Sequence, residues 1–168
     1  ADDDTDIEYI YHHLHYNLKT SKLTAQQITD GWLKHTYSET DAPLYKKFPD
    51  SEPVIENFLW VANQRARILM EQGMLPPQTS DPKNNSKYNM IDAQLTTEMF
   101  GLLAPTQPQV ALDIAYLPIR VAADREAMSI SQFYVVMHSL ASKVDKKMSM
   151  HQQVMWLSEQ ASVYLPKE

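Results

Sequence analysis

Asp2, Asp3, Asp4 and Asp6 crowd the first six positions of the chain, directly ahead of a stretch with helical spacing. Consecutive carboxylates offer hard oxygen ligands in a compact cluster, which suits Mg²⁺ or Ca²⁺. A helix cap needs only one side-chain oxygen, and the extra acids repel one another. A local explanation competes: Thr5 and Glu8 have the spacing of a capping box, and acids in a first turn complement the helix dipole. Asp4, Glu8 and His12 recur at i, i+4 and i+8 on one helix face, an arrangement open to a transition metal, with His13 and His15 beside them. Neither Glu-x-x-His nor His-Glu-x-x-His occurs, so these histidines read as surface or half-buried helix residues.

A second polar centre lies in the middle of the chain, where Asp92, Gln94 and Glu98 sit among apolar neighbours behind an Asn-rich segment containing Asn85. A substrate could be held there between loop and helix; alternatively, Asp92 caps or braces the helix. Other chemistries lack their familiar motifs, although a nucleophilic triad is not decided by sequence. There is no Gly-x-Ser-x-Gly elbow and no phosphate loop of the Gly-x-x-x-x-Gly-Lys type. The absence of Cys rules out a thiol nucleophile, disulfides and Cys-ligated zinc.

The elements that must position these residues all read as helices. Ile7, Ile10, Tyr11, Leu14 and Leu18 share one face. Thr24 and Gln27 form a capping box ahead of Ile28, Trp32 and Leu33. Residues 36–53 read as a loop. A helix is expected over 54–73, with Ile55, Leu59, Ala62, Ala66 and Leu69 on its apolar stripe, Asn57, Asn63 and Arg67 solvated or supporting a site, and Gly73 as the left-handed terminator before Pro76 and Pro77. The segment 75–89 reads as a long loop, a kind often functional. Helices follow over 90–105, 106–122, 126–144 and 149–165. Thr106 and Gln109 are expected to cap the second of these, Pro118 to kink or end it, and Ser149 with Gln152 to open the last. No strand or internal repeat is evident. The expectation is one all-α domain over 1–168, an orthogonal bundle of about six helices.

Composition agrees. The chain has 168 residues, 43% hydrophobic and 21% charged, with three Gly against ten Pro, which suits helices joined by stiff loops. A net charge of −6 argues against nucleic acid or an anionic membrane as partner. Neither a membrane span nor a signal peptide is visible. The compartment stays open, the cytoplasm being favoured.

Taken in order, "ADDDTD" running into an amphipathic helix, a Pro-rich loop, "MIDAQLTTEMFGLLAP" and a later "Ala…Phe" helix resemble the more divergent branch of the ADP-ribosylglycohydrolase family, from residue 1 to about 142. The resemblance implies a magnesium-dependent hydrolase that cleaves the glycosidic bond between ADP-ribose and a protein side chain or small acceptor. Two Mg²⁺ ions would lie in a cleft among helices, positioning ribose hydroxyls and an attacking water. The family's acidic element falls on Asp2, Asp3, Asp4 and Thr5, so Asp2, Asp3 and Asp4 inherit the ligand role. Asp2 stands where Ser or Thr is usual. Asp3 and Asp92 become the catalytic candidates, and Asp92, Gln94 and Asn85 the substrate-binding ones. The partner implied is ADP-ribose or an ADP-ribosylated protein. The family's upstream Glu segment and second Asp-x-Asp element find no counterpart, so the chain is expected to carry half of the metal site. A non-catalytic binding or structural module on the same fold is the alternative.

Overall fold

A computed structural model describes residues 3–36 and 59–165. The described residues form an all-helical domain without strands: α1 (Asp3–Leu18), α2 (Ala25–His35), α3 (Val61–Glu71), α4 (Asp92–Thr97), α5 (Met99–Leu103), α6 (Pro108–Ile119), α7 (Arg125–Leu140) and α8 (Met150–Ser162), with short 3₁₀ turns at Gln78–Ser80 and Ala141–Lys143. None of these helices is long and apolar enough to cross a membrane.

α7 is the spine. Its small and branched inner residues Ala127, Ser131, Val135, Val136 and Ser139 let α4, α5, α6 and α8 all pack on it. The closest approach is at Gly101 of α5, where an added Cβ would collide with the Val135 carbonyl oxygen. On the other side α1 packs on α2 and α4, and α3 bridges α2 and α4. Most of the apolar stripe of α1 enters the core: Ile7, Ile10, Tyr11 and Leu14 are buried, whereas Leu18, at the last residue of the helix, is exposed. The Tyr11 ring meets Phe100 edge-on at 5.3 Å, and its hydroxyl accepts from Trp32 Nε1 at 3.3 Å.

The capping boxes at Thr24–Gln27 and Ser149–Gln152 form. Gly73, at φ 87°, ends α3 in a Schellman arrangement: its N–H donates to Met70 O, and Met74 N–H donates to Leu69 O. α6 ends one residue after Pro118.

Several boundaries differ from expectation. Thr5 does not cap α1, because the helix has already begun at Asp3 and Thr5 lies in its first turn. Thr106 does not cap α6 either. It adopts φ 63° and donates its N–H to Ser139 O, leaving Gln107 as N-cap and Pro108 at N1. The expected 90–105 helix is two short ones meeting at Glu98. Thr96 and Thr97 donate their hydroxyls to the carbonyls of Asp92 and Ala93, a back-bonding that favours such bends. α3 starts at Val61, with Leu59 and Trp60 ahead of it, while residues 54–58 and the loop reading over 37–53 lie outside the described residues.

Candidate acidic cleft at the start of α3

α3 begins without a cap of its own. Trp60 is the N-cap residue, and its side chain makes no capping hydrogen bond. The acceptors arrive from both flanking helices. Asp92 Oδ1, at the first position of α4, accepts from the N–H groups of Ala62 at 2.9 Å and Asn63 at 3.0 Å. Asp3 Oδ2, in the first turn of α1, accepts from Trp60 N–H at 2.8 Å and Asn63 Nδ2 at 3.1 Å. Both carboxylates are only 3% exposed. Such burial is tolerable because each is hydrogen-bonded at the positive end of a helix.

Asp4, on the outer side of the same turn of α1, meets Asp92 across a cavity of about 240 Å³ whose remaining walls are Trp60, Ile91 and Leu95. Gln94 lies in a neighbouring cavity of about 510 Å³ with Asn89, Met90, Glu126 and Ile130, separated from the first by Ile91. Asn85 faces neither. It is fully buried, and Nδ2 donates to Ala62 O and Thr79 O while Oδ1 accepts from Lys87 N–H, so it ties the 75–89 loop to α3. Asp2 lies outside the described residues. The structure thus brings Asp3, Asp4 and Asp92 to one place, Gln94 next to it, and Asn85 behind it.

Farther along α1, Glu8 has its carboxyl pushed above the ordinary range by burial, then by Glu98, and further by Asp4, with His138 opposing. Glu98 Oε2 is buried without a hydrogen-bond partner among the described residues. His12 and His13 of α1 do not join this acidic group. His12 is exposed, and His13 meets His35 of α2 edge-on at 4.8 Å. Burial, with His13 and then Lys34 nearby, lowers the His35 pKa. Among the described residues no three His, Asp or Glu side chains are grouped to hold a metal ion.

The donor set still suits a hard cation in kind. Magnesium is usually held by one or two carboxylates, with water and substrate oxygens completing its octahedron. Asp4 and Asp92 can supply those carboxylates to the cavity. Asp3 is less available, since one oxygen holds α3. Next to it, the Asn63 Oδ1 atom is buried without a partner among the described residues. Flipping the amide would set that oxygen against Asp3, so the orientation follows from the hydrogen bond to Asp3.

Three residues of this site escape a sequence reading. Trp60, Ile91 and Leu95 look like core positions, yet they wall the cavity. Asn63, expected to be solvated or supporting, is buried as a support. Arg67 likewise turns inward, donating to Thr36 O and Oγ1 across to the end of α2. Asn57 is outside the described residues. No sequence signal marks Trp60, because its N-cap position follows from α3 starting at Val61.

Compared with protein-family models, curated proteins and solved structures, the chain matches none.

Proposed function

We propose that this chain is a magnesium-dependent hydrolase acting on the glycosidic bond of ADP-ribosylated side chains or related ADP-ribosyl compounds. The observation that carries the reading is that Asp4 and Asp92, distant in sequence, line one cavity with an indole on its wall. The order of motifs resembling the ADP-ribosylglycohydrolases supports it. Ionised carboxylates only accept hydrogen bonds, so Asp4 and Asp92 suit sugar hydroxyls and a water molecule. The reaction adds the water oxygen to the anomeric carbon, breaks the bond from that carbon to the acceptor atom, and delivers a proton to the departing acceptor. Asp92, held through Oδ1 at the start of α3, would orient the water and take its proton as general base. Bound Mg²⁺ would supply charge stabilisation and acidify the water. Asp3 positions α3 and, through it, Trp60.

The test is hydrolysis of an ADP-ribosylated peptide with Mg²⁺ and with chelator. Asp4→Asn is expected to lower kcat by about 10²-fold or more, the scale of a lost acid–base or positioning group, with the fold intact. Full activity in chelator, or in Asp4→Asn, would sink the assignment. A second reading rests on the hydrogen bonds themselves: Asp3 and Asp92 both brace α3, as a purely structural or binding module would require. Calorimetry in which neither Mg²⁺ nor ADP-ribose binds favours that reading.

A further inference from the structure

Ser, Thr, Asp and Asn are favoured at N-caps because their oxygens accept the first N–H groups of the helix. At α3 this work is done from a distance by Asp92 and Asp3, which leaves the N-cap side chain free to be bulky. The residue there, Trp60, is 58% exposed, whereas Trp32 is 1% exposed and packed in the core. A role for the indole can be sought in the cavity that it lines with Asp4 and Asp92.

The cavity supplies one. At about 240 Å³ it falls below the ~300–1,000 Å³ of pockets that enclose whole ligands, and it matches a single ring. Its lining is mixed: Trp60, Ile91 and Leu95 are apolar, and Asp4 and Asp92 bring carboxylates. Carboxylates are hydrogen-bond acceptors, so this lining favours a ligand edge rich in hydroxyl donors. A furanose has the matching shape, with hydroxyls along one edge and C–H groups on a face that can lie on an indole.

We infer that Trp60 is the stacking wall of a single-ring subsite that takes a hydroxyl-bearing sugar, its C–H face on the indole and its hydroxyls toward Asp4 and Asp92. The inference rests on the ADP-ribosyl reading and adds the ring that enters the cavity and the residue that selects it.

Calorimetry of the full chain with Mg²⁺ tests it, using ADP-ribose, methyl β-D-ribofuranoside and adenine as separate titrants. Trp60→Ala is expected to weaken both sugar ligands about tenfold, Trp60→Phe much less, and adenine alone to give no binding. Equal sugar affinity in Trp60→Ala and the unaltered chain overturns the inference, as does adenine binding that depends on Trp60. If the riboside binds through Trp60 but ADP-ribose does not bind, the subsite stands and the ADP-ribosyl reading falls. If neither binds the unaltered chain, the subsite falls too. Should Trp60→Ala misfold by circular dichroism, acrylamide quenching decides without substitution: the riboside is expected to protect the exposed indole, and unchanged quenching refutes the stacking.

Discussion

Replacing Asp92 by Ala removes the acceptor for two N–H groups at the start of α3, those of Ala62 and Asn63. Loss of a capping oxygen costs about 0.5–2 kcal/mol. Each buried N–H left without an acceptor adds about 1–3 kcal/mol, toward the low end where water can enter. The adjoining cavity admits water, so the expected total is about 3 kcal/mol. In a domain of this size that is a fall in Tm of about 6–12 °C. Asp92→Asn keeps an oxygen acceptor and should cost about 1 kcal/mol, while Asp4→Asn, half-buried and in the first turn of α1, should cost under about 1 kcal/mol. Urea unfolding of the three variants, with a common slope, measures all of this. If Asp92→Ala costs no more than Asp4→Asn, Asp92 does not hold α3, and the account of how the cleft is built fails.

Two further outcomes follow from the packing and the charges. Gly101→Ala pushes a methyl group into the α7 backbone at Val135 and should destabilise by about 1–3 kcal/mol, read as a lower urea midpoint; a neutral result would contradict the close crossing of α5 and α7. The depressed pKa of His35 means that the unfolded chain takes up its proton first as pH falls, so stability is full above the ordinary value of 6.5 and is lost as pH drops from there through the lower folded value. In His35→Gln the decline in Tm below about pH 6.5 should be shallower, and an unchanged profile would exclude His35 as its source.

The helices themselves were legible because their signals are local. Two capping boxes, the Gly73 terminator and the α1 stripe from Ile7 to Leu14 each lie within one element, and each is found where spacing puts it. The misplaced boundaries have non-local causes. Thr106 is drawn into a left-handed turn by the Ser139 carbonyl, 33 residues onward by numbering, which no capping rule at Thr106 contains. The sequence singled out Asp3, Asp4 and Asp92 as chemical residues, and they do converge. That Asp3 and Asp92 would meet at the start of a third helix depends on how α1 and α4 flank α3. Trp60 was missed for the same reason: its exposure follows from caps supplied by other helices.

The first turn of α3 also constrains the order in which the chain assembles. Its acceptors come from residues 57 positions upstream of Trp60 and 30 positions downstream of Ala62. Closing such loops costs entropy before the hydrogen bonds return any of it, so these contacts form after the surrounding helices have docked. α1, with its own apolar stripe, and α2, with its own capping box, can start locally, whereas α3 waits for its neighbours. Weakening either aspartate should therefore act mainly by speeding unfolding, with little effect on the rate of folding.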